Sequence, residues 1–549
     1  MTRLLPTMLL FVVSVSAQAQ QRSVQVRLFW QHPPAEIRVD PQTASLETCN
    51  TCPRTPLTVP TQITAKASTV LASSTSSAVV LLTGRFRVSG NGFPPFAVAN
   101  ELRVQARDDR LLLTLNMSLE EYVTAVLQGE SAGFKSDEAL KAMAVAARTY
   151  AVHFGSRHKL EGFDFCDTTH CQDLRLGNES ARSRAAVAAT EGELLWFEGR
   201  PAATYYHRSC GGEIEDANAL EPALHAAYLR PHHDDYCVRT PDEWQAEISK
   251  IDLARVLGRP VSTVRVMARS ESGRVKKLLV DDREISATDF RFAIGRGLGW
   301  DKLRSDLYQE EDRGDRIVFR GRGQGHGVGL CQAGAESMGE QGHTYREILA
   351  YYYPGTAIGL NAQGLSWEKL PGESLDLIST NRNDAATLLP LAERALHDAI
   401  ERTGWDIKTR PQVKVYPTIF IYRDATGEPG WVAASTRGSI VRLQPITTLQ
   451  RTHSLDSTLR HEFLHMLIES QARPDTPLWS REGLAIYLTN PAAAIPRTVD
   501  VVALEKRLHS LRTEEEMRTA YGDCAAAVAD AVQKNGLKAV LASLGAPRN

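Results

Sequence analysis

His461-Glu462-Phe463-Leu464-His465 sets two imidazoles four residues apart, with a carboxylate beside the first. On a helix, residues four apart share a face, so His461 and His465 can aim two ring nitrogens at one zinc ion. Glu462 then sits where a carboxylate can take the proton of an attacking water. A catalytic zinc needs a third protein ligand and an open position, and Glu482, in the stretch LWSREGLAIYL, supplies that ligand. Phe463, Leu464, Leu467 and Ile468 bury the expected helix, where an unpaired histidine or glutamate would be costly. Three other groups carry chemistry. Glu130 ends an apolar-periodic run, Cys166, His170 and Cys171 fall within six residues, and glycine occupies alternate positions from Gly321 to Gly329. Such glycines suit a backbone that approaches a neighbour closely or takes positive φ. No Gly-Lys-Ser/Thr follows them, so they are not read as a phosphate loop.

The elements that must position these groups are legible in outline. SVQVRLFW alternates as a strand, short β-like runs follow it, and Leu102 to Leu115 reads as a hairpin turning at Asp108-Asp109. The pattern then becomes helical. Ser118 caps a helix that ends at Glu130, and Ser136 with Asp137 opens the next. Residues 361–374 contain Gly and Pro without periodicity and read as a linker. Beyond them, Ala385 to Gly404 reads as an amphipathic helix, VKVYPTIFIYR as a strand pair, and GSIVRLQP as a strand before the His461 helix. Ser480 is expected to cap the helix of Glu482, with Pro474 and Pro477 marking the turn before it.

A chain of 549 residues exceeds what one core supports, so several domains are expected. Its net charge of −2 gives no footing for a nucleic-acid partner. Residues 1–19 read as a secretory signal peptide: Arg3 precedes an apolar run from Met8 to Val15, then Ala17-Gln18-Ala19. That run is shorter than the roughly 20 residues of a membrane-spanning helix, and no later segment is long enough. A secreted or periplasmic chain meets oxidising conditions. Cys49 and Cys52 are therefore expected to form a local disulfide and Cys210 to pair with Cys237, while Cys331 and Cys524 have no evident partner.

The stretches LEEYVTAVLQGESAGFKSDEALKAMAVAARTYAV, CDTTHCQDLRLG, YYHRSCGGEIEDAN and GRGQGHGVGLCQAGAESMG occur in this order. Together they resemble the stage II sporulation protein D and amidase enhancer family (SpoIID/LytB) over residues 20–360. The resemblance implies a β-rich plus helical domain and lytic transglycosylase action on peptidoglycan glycan strands, with Glu130 as acid and base. Many relatives have Glu-Met-Pro where this chain has Glu130-Ser131-Ala132. A transglycosylase uses the sugar's own 6-hydroxyl as nucleophile, so one carboxyl suffices where most glycosidases need two. Partial burial should raise the pKa of Glu130. Arg148, Gln172, Tyr206 and His326, with Lys141, Tyr150 and His207, are the candidate groove residues. Some relatives bind zinc near Cys166, His170 and Cys171. That makes a second zinc ion one reading, with His158 as a fourth ligand, and a Cys166–Cys171 disulfide the other.

Residues 375–549 resemble the gluzincin metallopeptidases of the peptidase MA-like type through His461-Glu462-x-x-His465 and Trp479-Ser480-Arg481-Glu482-Gly483-Leu484-Ala485. That resemblance implies His461, His465 and Glu482 as zinc ligands, Glu462 as general base, and Gly438 to Leu443 as a cleft strand that a peptide could extend. The expectation is an α+β multidomain, exported cell-wall enzyme that cuts glycan with its first domain and a peptide or protein substrate with its zincin-like second. The alternative is a non-catalytic wall-binding module that activates a cell-wall amidase, carrying an attached metallopeptidase or degenerate zincin domain.

Overall fold

The computed structural model describes residues 23–49, 52–73, 75–155, 157–177, 180–217, 224, 226–237, 242–473, 476–509, 511 and 513–544. The expected signal peptide lies outside them. Chain contacts divide the protein into two compact units. One holds Val24–Glu401 with Trp405–Val415, and the other Arg402–Gly404 with Tyr416–Asn549.

The larger unit begins as an 11-stranded sheet. Its strand order is Phe165–Cys166, Ser23–Leu28, Arg110–Ser118, Glu101–Arg107, Val79–Gly90, Glu36–Glu47, Thr61–Lys66, Thr69–Ala72 and Thr75–Ser77, with Thr55–Leu57 and Phe93–Val98 attached at its sides. Alternation decides which face is buried: Val24, Val26 and Leu28 of the first strand turn inward. The expected hairpin forms, pairing Arg110 with Arg107, and Asp108 and Asp109 adopt φ of 50° and 58° in its turn. Cys49 and Cys52 are joined.

Two helices, Leu119–Glu130 and Asp137–His153, pack into the same core. Ser118 and Glu121 form a reciprocal cap on the first, and Ser136 caps the second, as their sequences predict. Ala142, Ala144, Ala146 and Ala147 are fully buried, small side chains that let neighbouring elements close on the second helix. The sequence did not reveal that Glu243–Ser249 to Arg316–Arg322 forms an insertion. It has two antiparallel three-stranded sheets, helices Lys250–Leu257 and Ala287–Leu298, and its own core around Phe290 and Phe319.

The segment 361–374 is not featureless. Glu368–Pro371 is a strand paired with Asp376–Ser379, which runs parallel to Gln412–Val415. Trp367 Nε1 donates to Glu191 O at 2.8 Å, and buried Lys414 Nζ lies 3.0 Å from Glu191 Oε2, which ties this strand group to the larger unit.

The expected helix is present as Arg382–Thr403. The expected strand pair in VKVYPTIFIYR is corrected: only Gln412–Val415 is a strand, and Ile419–Thr426 is a helix. Thr418 accepts the N–H of Ile421, and this cap overrides the β preference of Ile-Phe-Ile-Tyr. In the smaller unit, hairpin Ala434–Arg437 with Ile440–Leu443 accompanies helices Leu455–Gln471, Leu478–Thr489, Val501–Leu508 and Glu514–Asn535. Among the described residues, no helix is long and apolar enough to cross a membrane.

Candidate functional site

Glu130 is the last residue of its helix and half-buried. Gly129 explains its setting: a Cβ there would stand 2.2 Å from Asp173 O, so only glycine lets the Asp173 loop close on the helix end. That closure brings Asp173 N–H to Glu130 Oε1 at 2.9 Å, while Gln332 Nε2 donates to Oε2 at 3.1 Å. Burial pushes the Glu130 carboxyl above its ordinary range against the pull of these two hydrogen bonds, and the Asp173 carboxylate adds to the rise.

The glycine stretch delivers Gln332. Gly323, Gly325, Gly327 and Gly329 adopt φ between 71° and 103°. Gly321 is needed for space, because a Cβ there would meet the Trp244 ring at 2.3 Å. The backbone so shaped runs parallel to the YYHRSCGG segment, pairing Tyr206 with Leu330 and His207 with Cys331. Gln332 then opens the helix Gln332–Glu340. Neither Gln332 nor Asp173 was singled out from the sequence. Both lie next to residues that were, but the parallel pairing that aims Gln332 leaves no local signal.

The expected groove residues separate by burial. Arg148 is corrected: it has 0% exposed surface, its Nη2 meets Glu120 Oε2 at 2.6 Å, and it also donates to Glu193 O and Val187 O. A guanidinium so enclosed cannot meet a sugar. Arg148→Met should therefore act on stability, lowering it by about 3–5 kcal/mol as Glu120 loses its buried partner. The urea midpoint of the full chain measures this, and lost activity at unchanged stability would contradict it. Gln172 is also buried, holding Tyr122 OH at 2.8 Å and Tyr206 OH at 2.7 Å. His326 uses Nδ1 to accept Val328 N–H and is hydrogen-bonded to the Tyr206 backbone, and burial lowers its pKa to about 3, so it braces the loop as a neutral ring. His207 is likewise buried. Lys141 pairs with Glu138, and Tyr150 accepts a hydrogen bond from Arg157. Tyr206 is a partly buried residue, and ionisation of its hydroxyl is opposed first by burial and then by Glu130.

Directly before Gln172 and Asp173, His158, Cys166, His170 and Cys171 gather with ligand atoms within 4.8 Å of one another. Cys166 and Cys171 are not joined to each other. Cys171 Sγ lies 3.4 Å from His158 Nε2, and Glu161 holds the other ring nitrogen at 2.5 Å, an orientation that suits a metal-facing Nε2. Two sulfurs and two imidazoles are a good zinc set.

In the smaller unit, the helix Leu455–Gln471 carries His461 and His465 on one face, their Nε2 atoms 3.0 Å apart. Glu482 Oε2 stands 3.3 Å from His465 Nε2, and the three ligand atoms fall within 4.8 Å. That carboxylate oxygen is buried without a well-formed hydrogen bond, which suits a cation-facing ligand. Burial opposes charge on His465, yet Glu482 raises its pKa to about 9, while burial lowers His461 to about 3. Glu462 is buried, and Thr436 Oγ1 donates to its Oε2 at 2.6 Å.

Two expectations change here. The Glu482 helix starts at Leu478, before Ser480, because Glu505 accepts the N–H groups of Leu478 and Trp479 and serves the helix end in place of a serine cap. Of its flanking prolines, Pro477 precedes the helix and Pro474 lies outside the described residues. The strand facing the motif helix is Ala434–Arg437, which supplies Thr436, and Gly438 lies in its turn at φ 61°. Tyr521 hydrogen-bonds Glu482 and so orients a ligand.

Comparison with known proteins bears on the larger unit. The family model for the stage II sporulation protein (SpoIID) matches residues 107–197, and a domain of unknown function, DUF8618, matches residues 243–329. The chain is similar to an uncharacterized protein of Brachyspira hyodysenteriae, 31% identical over 262 residues, covering 46% of this chain and 69% of the relative. It is 27% identical to stage II sporulation protein D of Bacillus subtilis, covering 44% of this chain and 75% of that protein. It is also 23% identical to the amidase enhancer of Bacillus subtilis, over 42% of this chain and 39% of that protein.

Proposed function

Since the chain belongs to the SpoIID family through its N-terminal region, we propose that it is an exported cell-wall enzyme whose Glu130 cleaves peptidoglycan glycan strands by lytic transglycosylation. The observation that carries this reading is the Glu130 carboxyl itself, half-buried, with its pKa raised by burial and each oxygen held by one donor. Burial favours the protonated acid, and the Asp173 and Gln332 donors favour the carboxylate, so both forms of a proton shuttle are within reach. Glu130 gives its proton to the glycosidic oxygen as the bond from that oxygen to the anomeric carbon breaks. The 6-hydroxyl oxygen of the same sugar bonds to that carbon, and its proton returns to Glu130. The product carries a 1,6-anhydro ring, and no water enters.

Mass spectrometry of the products from peptide-stripped glycan strands tests this. Ends of 1,6-anhydro-N-acetylmuramic acid are expected, and hydrolysed reducing ends alone would overturn it. The first step needs protonated Glu130, so the rate should hold above the ordinary glutamate value of 4.5 and fall as pH rises through the raised one.

The C-terminal region is read as a zinc peptidase of the gluzincin type. His461, His465 and Glu482 would hold the ion, which when bound supplies Lewis acidity and eases deprotonation of water. Glu462, steadied by Thr436, takes the water proton and passes it to the leaving amine. Peptidoglycan offers both glycan and peptide, so one chain can act on both parts of the wall. The similarity to an amidase enhancer favours a second reading, in which the N-terminal region binds wall and stimulates a separate amidase. Under that reading no anhydro product forms.

A further inference from the structure

Cys210, Asp234, Cys237 and Cys331 belong to three separate stretches of sequence and converge inside the larger unit. The pairing of Cys210 with Cys237, and a Cys331 without partners, are both corrected: no disulfide joins these cysteines, and all three belong to one cluster. Three sulfurs and a carboxylate oxygen lie within 4.8 Å of one another, and every one of these residues is 0–1% exposed. Tetrahedral zinc, with bonds of about 2.3 Å to sulfur and 2.0–2.2 Å to oxygen, sets its ligand atoms roughly 3.5–4 Å apart, so small adjustments would close the set on one ion.

The surroundings suit ionised sulfur. The backbone N–H groups of Cys210 and Gly334 point at Cys331 Sγ from 3.3 and 3.4 Å, and that of Gly212 points at Cys210 Sγ from 3.3 Å. Ser209 Oγ is 3.5 Å from Cys237 Sγ. Asp234 is oriented with equal care. Its Oδ1 accepts the N–H groups of Tyr236 and Cys237, both at 3.1 Å, and Tyr352 OH donates to Oδ2 at 3.0 Å. Gly334 is required beside it, because a Cβ would stand 2.7 Å from Asp234 Oδ2. Buried Arg274 donates to Cys210 O at 2.7 Å and brings a positive charge to the cluster. Outer partners that fix both sulfur and carboxylate are the usual support of a metal site. A disulfide between any two of the cysteines would leave the third thiol beside a buried carboxyl.

We propose that Cys210, Asp234, Cys237 and Cys331 form a structural zinc site, separate from both histidine-containing clusters and closed by protein ligands on every side. A thiolate-dominated set selects zinc over the hard cations, and binding releases the thiol protons to solvent. The ion would fasten the framework beneath Glu130. Cys331 precedes Gln332, the donor to Glu130 Oε2, and its strand pairs with the strand of Tyr206. The site stands whether Glu130 cuts glycan or only lies in a binding groove.

The test uses the mature full-length chain exported to an oxidising compartment. Cys166→Ser with Cys171→Ser, combined with His461→Ala and His465→Ala, disables the other two clusters. Cobalt added to this variant after its metal is stripped with a chelator should bind at one per chain with sulfur-to-cobalt charge-transfer absorption, and a further Cys237→Ser should abolish both. A variant with native circular dichroism that binds no cobalt would overturn the proposal. Should that variant not fold, the unsubstituted chain decides by alkylation after denaturation without reductant. Three alkylated thiols at Cys210, Cys237 and Cys331, with zinc content one ion lower in Cys237→Ser alone, support the site. A disulfide-linked pair among the three overturns it.

Discussion

Glu130→Gln is expected to lower glycan cleavage by about 10²–10⁴-fold, the range carried by a positioned acid and base, while leaving the protein at least as stable at neutral pH. Loss of rate follows because an amide neither gives nor takes the proton. The stability side follows from the sign of the pKa shift. A carboxyl whose pKa is raised by folding favours the folded state most below its unfolded value, and that contribution is lost as pH rises through the folded value. Above that pH the native protein holds a partly desolvated carboxylate, which the substitution removes. The amide oxygen can still accept Asp173 N–H, and Gln332 can turn its own amide to match. Thermal melts across pH, beside product analysis, read both effects. Unchanged cleavage would move the N-terminal region to a wall-binding or amidase-activating role. A lowered melting temperature would make the carboxylate a structural acceptor.

Much of this site was legible where chemistry and local structure coincide. Ser118 and the helical run after it placed Glu130 at a helix end, and the alternate glycines announced unusual backbone. Spacing alone put His461 and His465 on one face. What failed to show was long-range. Arg148 resembled a groove residue because its type suits sugar recognition, yet its partner Glu120 sits on a different helix that no pattern links to it. Gln332 reaches Glu130 only through a parallel pairing of Tyr206 with Leu330, across an insertion of independent core. Cys331 reaches Cys210, Asp234 and Cys237 by the same route. The misread of Ile419–Thr426 was local instead, where one threonine cap outweighed a run of β-favouring side chains.

Glu462→Gln should separate metal binding from turnover in the C-terminal region. Glu462 faces Thr436, and His461, His465 and Glu482 are the atoms that converge, so the substitution should leave the zinc stoichiometry intact. Peptide hydrolysis should fall by about 10²–10⁴-fold, because the group that moves the water proton is gone. His465→Ala should instead lower the zinc content by one ion per chain, since two remaining ligands hold zinc poorly. Thr436→Val supplies a finer reading. It removes the hydroxyl that fixes the Glu462 carboxylate and should reduce kcat with zinc retained and KM little changed. Zinc lost from Glu462→Gln would place that carboxylate among the ligands. Full hydrolysis by the same variant would remove Glu462 from the reaction and leave the histidine cluster a structural metal centre.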